Sequence, residues 1–293
     1  MPPTTRSTFI GRPGALVGMV HVHALPGTPG SSLAPDQLVR RALADARIYL
    51  RCGFDALIIE NMHDRPYVHG PKPPEVVALM TRVALAIREL DPRLPLGIQI
   101  LSGGNADAIA IALATGASFI RCENFAFAHV ADEGLLATAE AGPLLRYRRS
   151  IGAEHIKVCC DIKKKHASHA LTADLSLADV AHGAEFFSAD ALIVTGAATG
   201  RPTSPDDLAE VRAASDLPLF VGSGVTPAQI PSLLAHADAL IVGSAVKLGG
   251  HWSNDPDPAR CRALVKARDK ASTTRSPQAS SGRSASAKPR RSR

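Results

Sequence analysis

Leu219-Phe-Val-Gly-Ser-Gly224 and Leu240-Ile-Val-Gly-Ser-Ala245 are short apolar runs that each end in a glycine turn, one strand-helix unit apart. A glycine lets the backbone approach an anion closely, and the N–H groups that open a following helix can then hold its charge. Paired turns of this kind belong after the seventh and eighth strands of a parallel β/α barrel. Upstream, Val- and Ile-rich runs alternate with segments of helical period, the pattern of βαβ units. Strands are expected over Ala15–His23, Ala56–Asn61, Pro95–Leu101, Phe119–Asn124, Ile156–Ile162, Ala191–Gly196, Leu217–Gly222 and Ala239–Gly243. Helices are expected to start near Asp36, Pro74, Asn105, Gly134, Leu177, Pro205, Pro227 and Asp257. No hairpin signal such as Asn-Gly follows any strand, and the loop Ala24-Leu-Pro-Gly-Thr-Pro-Gly30 lacks the dinucleotide fingerprint of an open doubly wound sheet. The fold class is therefore α/β, a single-domain (βα)8 barrel over residues 15–270, with an extension over 1–14 and a Ser/Arg-rich tail over 271–293.

The chain has 293 residues, 45% of them hydrophobic, and a formal charge of +6. Arg275, Arg283, Lys288, Arg290, Arg291 and Arg293 all lie in the tail without an acid among them. Removing them leaves 27 basic residues against 27 acidic ones, so the barrel itself is neutral. The tail has no periodicity and is expected to be disordered. No aromatic platform accompanies its arginines, which argues against a specific nucleic-acid partner. Five cysteines without a CxxC pair, no apolar run of membrane-spanning length and no apolar leader point to a reduced, cytoplasmic protein without a transmembrane segment. A homo-oligomer is compatible with all of this.

Residues two apart in a strand share a face, so the apolar outer rows imply which side chains look into the barrel. His21 and His23 in the first strand, Glu60, Gln99, Arg121, Glu123, Lys157, Asp161 and Lys163 all fall on the inner side. Most crowd toward the C-terminal strand ends, where barrel enzymes carry their chemistry. A salt-bridge layer among Arg121, Lys157, Glu60 and Glu123 is the structural alternative. The cluster Asp161-Ile-Lys-Lys-Lys-His166 is the densest: a partly desolvated Lys163 could serve as base or Schiff-base amine, with Asp161 or His166 passing protons and Lys164 and Lys165 left to solvent or phosphate steering. His21-Val-His23 keeps a divalent metal open as an alternative, although the other ligands of a binuclear barrel site are missing and no cofactor is required. A third turn, Thr195-Gly-Ala-Ala-Thr-Gly-Arg-Pro202, adds Thr195, Gly196, Thr199, Gly200 and Arg201 to an anion site already formed by Gly222, Ser223, Gly224, Gly243 and Ser244.

From about Gly18 to Arg262 the chain resembles the BtpA/SgcQ family of ribulose-phosphate-binding-type barrels. The resemblance is carried by Gly-Met-Val-His21 with Leu-Pro-Gly27, Glu60-Asn-Met-His-Asp64-Arg-Pro, Phe119-Ile-Arg121, Asp132-Glu-Gly134, Leu145-Arg-Tyr-Arg148, Asp161-Ile-Lys-Lys-Lys-His166, Thr195-Gly-Ala-Ala-Thr-Gly200, Gly222-Ser-Gly-Val-Thr226 and Gly243-Ser with Lys247. Leu101-Ser-Gly-Gly-Asn105 departs from the Asn-Asp common there. The motifs add Asn61, Asp64 and Asp132 to the substrate-binding candidates beside His23, Gln99, Arg121 and Glu123. The family implies roles as varied as photosystem I biogenesis, sugar-phosphate metabolism and nucleosidase activity. The expectation drawn from residues and resemblance together is an enzyme that acts on a phosphorylated sugar, nucleotide or similar metabolite by acid/base or lyase chemistry. Asp161, Lys163, Glu60, His21 and His166 would be catalytic, under loops 64–73 and 125–134. A nucleosidase-like hydrolase and a non-enzymatic assembly or stability factor are the alternatives.

Overall fold

A computed structural model describes residues 9–196 and 203–275. In chain order the elements are β1 (Ala15–His21), α1 (Pro35–Cys52), β2 (Ala56–Glu60), α2 (Pro74–Arg88), β3 (Leu96–Gln99), α3 (Asn105–Thr115), β4 (Phe119–Cys122), β5 (His129–Ala131), β6 (Gly134–Leu136), α4 (Ala141–Ser150), β7 (Lys157–Ile162), β8 (Ala167–Ser168), α5 (Leu177–Phe186), β9 (Ala191–Val194), α6 (Pro205–Ala214), β10 (Leu219–Val221), α7 (Ile230–Leu234), β11 (Ala239–Val242) and α8 (Pro258–Arg275). Eight of the strands, β1, β2, β3, β4, β7, β9, β10 and β11, pair in parallel in that order, and β11 closes on β1. The expected barrel is the observed fold.

Local chemistry explains the elements. In α1, Leu38, Ala42, Ala46 and Tyr49 fall on one face and are buried, Asp36 sits in the first turn, and Gly53 ends the helix in the left-handed region at φ 92°. Ser176 caps α5 by accepting the Asp179 N–H, and Asp179 returns the bond to the Ser176 N–H at 2.9 Å. Inside the barrel, Ala15, Val17, Met19, Ala56, Ile58, Phe119, Cys159, Ala191, Ile193, Phe220, Ala239 and Ile241 fill the lower layers. Gly97 must be glycine because an added Cβ would lie 2.3 Å from the Phe119 ring. Phe9 and Ile10, read in sequence as part of an extension, plug the barrel floor, with the Phe9 ring 5.6 Å from that of Phe119.

The floor repeats one device. The tetrapeptide Asp-Ala-Leu-Ile opens β2 at Asp55, β9 at Asp190 and β11 at Asp238. Each aspartate Oδ2 accepts the N–H that starts the preceding barrel strand: Leu16 at 2.8 Å, Val158 at 3.0 Å and Leu219 at 2.9 Å. An arginine from a helix then clamps each carboxylate: Arg268 on Asp55, Arg148 on Asp190 and Arg212 on Asp238. Lys157 joins Asp190 at 3.0 Å, so that inward residue belongs to the floor and not to a catalytic layer.

Three expectations are corrected. No helix starts at Gly134, whose φ of 112° suits a turn: β5 and β6 form an antiparallel hairpin to which β8 adds, and α4 begins seven residues later at Ala141. The helix after β10 is only Ile230–Leu234, and a 3-10 turn over Ser244–Val246 follows β11. Finally, α8 runs to Arg275, past the tail boundary expected at residue 271. The disorder expected of the tail concerns residues that lie outside the described ones beyond Arg275.

Candidate functional site

Continuing the inner alternation one step above the apolar layers brings His21, Glu60, Gln99, Arg121, Asp161, Thr195, Gly222 and Gly243 to the top of the barrel, one from each strand or its end. Register confirms the ring: His21 pairs with Glu60 and Glu60 with Gln99 across adjacent strands. All eight carry a polar side chain or a glycine turn because this layer faces a cleft instead of a packed core.

That cleft is bounded on one side by Gly222, Ser223, Gly224, Val225 and Thr226 and by Gly243, Ser244 and Ala245, and on the other by His21, Glu60, Arg121 and Lys165. Among the described residues, the N–H groups of Ser223, Gly224, Val225, Ser244 and Ala245 donate to no backbone carbonyl. Close packing explains the first glycine: a Cβ on Gly222 would lie 2.7 Å from Ile193 and 3.3 Å from Arg121 Nη2. With α7 so short, an anion would be held by these loop N–H groups and the guanidinium, not by a long helix dipole.

Arg121 lies flat against Asp161, Nε on Oδ2 and Nη2 on Oδ1, both at 3.0 Å. Both groups are buried, and burial pushes the Asp161 carboxyl up against the pull of Arg121. With both oxygens engaged, Asp161 orients Arg121 toward the Gly222 turn. Next to it, His21 Nδ1 lies 2.9 Å from the Trp252 carbonyl, an acceptor, so the ring proton sits on Nδ1 and the Nε2 lone pair faces Glu60 Oε2 at 3.5 Å. Burial, then repulsion from Lys247, lowers His21 to about 3, and the ring stays neutral. Burial raises Glu60 to about 6, so its carboxyl exchanges a proton near neutrality.

A second compartment opens from the first across Glu60, Met62, Arg121 and Lys165, and is lined further by Tyr67, Gln99, Glu123, Asp132 and His166. Gln99 is 2% exposed, and its Oε1 has no hydrogen-bond partner among the described residues. Glu123 accepts from Lys164 Nζ at 3.2 Å and the Gly103 N–H at 3.2 Å. Burial pushes Glu123 up, but Lys164, Arg121 and these bonds together hold it below the ordinary carboxylate value.

The BtpA family profile matches residues 12–270. The chain belongs to the BtpA family. A mitochondrial, uncharacterized protein of Caenorhabditis elegans is 43% identical over 256 residues, covering 85% of this chain and 91% of that one. The photosystem I biogenesis protein BtpA of Synechocystis is 33% identical over 255 residues, 86% of this chain and 87% of its own. Among solved structures, thiamine phosphate pyrophosphorylase from Pyrococcus furiosus superimposes with a TM-score of 0.58 at 13% identity, covering 90% of this chain and 99% of that one, a likeness of fold. Among the described residues no helix is long and apolar enough to cross a membrane.

The candidate residues of this BtpA-family chain divide by position. His21, Glu60, Gln99, Arg121, Glu123, Asp132, Asp161, His166, Gly222, Ser223, Gly224, Gly243 and Ser244 line the two compartments. Asn61 and Asp64 do not. Asn61 Oδ1 accepts the Leu101 N–H at 2.7 Å, its Nδ2 donates to Asp64 at 2.9 Å, and Asp64 accepts the Leu25 N–H at 2.7 Å, so the pair ties together the loops after β1, β2 and β3. His23 turns away because β1 ends at His21; its ring stacks on His63 at 4.8 Å in a separate hollow. The two histidines of the HxH motif thus diverge, and no group of three metal-ligating side chains occurs among the described residues. Lys247 is buried outside the barrel, 3.0 Å from Asp45.

The family cluster after β7 is rearranged relative to simple alternation. Lys163 adopts φ 48°, and its Nζ donates to the Leu175 carbonyl at 2.9 Å, outside both compartments. That left-handed residue turns Lys164 onto Glu123 and Lys165 into the cleft. Thr195 Oγ1 accepts the Lys165 N–H at 3.0 Å, and Thr195 and Gly196 border an outer hollow with Lys163. Thr199, Gly200 and Arg201 lie outside the described residues. Sequence reasoning missed Lys165 and Trp252: three consecutive lysines carry no contrast for alternation, and Trp252 arrives from a loop ten residues beyond β11.

Proposed function

We propose that this protein is an enzyme that transfers protons on a small phosphorylated metabolite, a sugar phosphate, nucleotide or relative. One observation carries the reading: a single cleft joins the two glycine loops, whose N–H groups at Ser223–Val225 and Ser244–Ala245 meet no backbone carbonyl among the described residues, to Arg121 and to the Glu60–His21 pair. The phosphate would lie on Ser223–Val225 and Ser244–Ala245 and meet the guanidinium that Asp161 holds. The carbon skeleton would then cross Glu60, whose carboxyl both gives and takes a proton near neutral pH while neutral His21 accepts at Nε2. Asp161, engaged through both oxygens, serves as the positioning group for Arg121. The structural neighbour thiamine phosphate pyrophosphorylase is named for a phosphate compound, which agrees with this reading without extending it.

Calorimetric titration with inorganic phosphate and with ribose 5-phosphate tests it. Millimolar or tighter binding is expected, and Ser223→Asp, which sets a like charge in the loop, is expected to weaken both ligands about tenfold or more, equivalent to ~1.4 kcal/mol. Absence of millimolar binding by the folded wild-type chain overturns the reading. The Synechocystis relative, a photosystem I biogenesis protein, favours a second, non-enzymatic reading, an assembly factor acting through its surface or tail. Truncation after Arg275, which leaves α8 whole, would then abolish function while Asp161→Asn would not. The compartment printed for the worm relative is the mitochondrion, and a reducing matrix suits five unbridged cysteines as well as the cytoplasm does.

A further inference from the structure

Three lysines follow Asp161, and the structure gives them three different fates. Lys163 is spent on the Leu175 carbonyl, and Lys164 is buried against Glu123 at 3.2 Å with Glu133 at 4.0 Å. Lys165 lines both compartments, where they share Glu60, Met62 and Arg121, and among the described residues its Nζ takes no hydrogen bond or ion pair. Its backbone is fixed by the bond from its N–H to Thr195.

We propose that Lys165 is a covalent catalyst whose ε-amine forms a Schiff base with the carbonyl carbon of the phosphorylated substrate. The proposal rests on the phosphate-binding reading above. A lysine becomes nucleophilic when it is desolvated next to another cation and left without an anionic partner. Here burial, then the neighbouring Arg121 charge, lowers the Lys165 pKa, against the weaker pull of Glu60, Asp161 and Glu123. Asp161 is committed to Arg121, and Glu123 to Lys164 and the Gly103 N–H.

In the step itself, the neutral amine attacks the carbonyl carbon, and the C=O π pair moves to oxygen, which takes the proton of the Glu60 carboxyl. The nitrogen returns a proton to Glu60. The hydroxyl then leaves as water with that proton while the nitrogen lone pair forms the iminium bond. One proton is consumed in all, and Glu60 regains it from solvent or from the carbon acid formed next. The iminium, held opposite the phosphate loops, acidifies the adjacent C–H or weakens the adjacent C–C bond. Aldol-type cleavage or isomerisation of a keto or aldo phosphate is the reaction class that follows.

The test treats the full chain with dihydroxyacetone phosphate or ribose 5-phosphate plus sodium borohydride, followed by intact mass and peptide mapping. One reduced adduct is expected on Lys165 with at least one probe. Unphosphorylated dihydroxyacetone should label at least tenfold less. Lys165→Arg should lose the adduct yet still bind inorganic phosphate by calorimetry and show an unchanged circular dichroism spectrum, while Lys163→Arg keeps it. An adduct that persists in Lys165→Arg, labelling scattered over surface lysines, or no adduct with either probe although inorganic phosphate binds, overturns the Schiff-base proposal and leaves the phosphate reading standing. Failure of inorganic phosphate to bind wild type overturns both. If Lys165→Arg does not fold, mapping of the wild-type adduct to another lysine decides against the proposal.

Discussion

Glu60→Gln isolates the electrostatics of the barrel mouth. Glu60 is 6% exposed and its carboxyl titrates at about 6 against an ordinary 4.5, chiefly because burial penalises the charge. Because the folded protein holds this proton more tightly than the unfolded chain, stability is full below about pH 4.5 and falls as pH rises through about 6. The difference is about 1.5 pKa units, or ~2 kcal/mol of stability absent at pH 7.5. Glutamine has the same shape and no titration, so the variant escapes that loss. His21, held near 3, is neutral in both folded proteins above about pH 4, and its titration in the unfolded chain is common to both. Urea unfolding of the two proteins at about pH 4 and pH 7.5 gives the quantity directly. The stability of Glu60→Gln minus wild type is expected to grow by ~2 kcal/mol across the interval, whatever its value at the acid end. A change under about 0.5 kcal/mol would refute the claim that Glu60 sits in a desolvated, proton-exchanging position. Turnover of any phosphorylated substrate should be lost in the same variant, so a site residue is here expected to lower stability while supporting function.

Gln99→Leu is expected to raise stability by about 1 kcal/mol, at the low end of the cost of an unpaired buried amide because water can reach the compartment. It should weaken ribose 5-phosphate binding while leaving inorganic phosphate unchanged, since the carboxamide faces the region where substrate hydroxyls would lie; equal losses for both ligands in calorimetry would contradict that assignment. At the barrel floor, Asp238→Ala leaves Arg212 and the Leu219 N–H without their shared carboxylate. Its cost is expected to be about 2–3 kcal/mol by urea unfolding, with Asp238→Asn recovering about 1 kcal/mol because an amide oxygen can still accept from Leu219.

How far the sequence could be read depended on contrast. Ala15, Val17 and Met19 alternate with outward Leu16, Gly18 and Val20, so the next inward residue, His21, was legible, and the same argument located Glu60, Gln99, Arg121 and Asp161. It failed just beyond the ends of β1 and β7. His23 left the ring because β1 ends at His21, and Lys163 left it because a lysine took a left-handed conformation that sequence assigns to glycine or asparagine. The hairpin of β5 and β6 turns at Asp132-Glu133, without the Asn-Gly signal, and so passed for the start of a helix.

The floor and the mouth differ in what a sequence shows of them. Asp-Ala-Leu-Ile occurs three times and each copy does the same work, so repetition alone could have located the clamps at Asp55, Asp190 and Asp238. At the mouth only Val-Gly-Ser recurs, at Gly222 and Gly243, and the other six strands each contribute a different group. Its ionic pairs form between neighbours around the ring, Arg121 with Asp161 and Lys164 with Glu123, and these withdraw four charges from chemistry. The groups left over are Glu60, His21, Gln99 and Lys165: a proton donor and acceptor, and an amide oxygen and an amine that are unpaired among the described residues. They surround one junction opposite the two glycine loops, and a substrate with a phosphate at one end, a carbonyl over Lys165 and a hydroxyl beside Gln99 would satisfy all of them together.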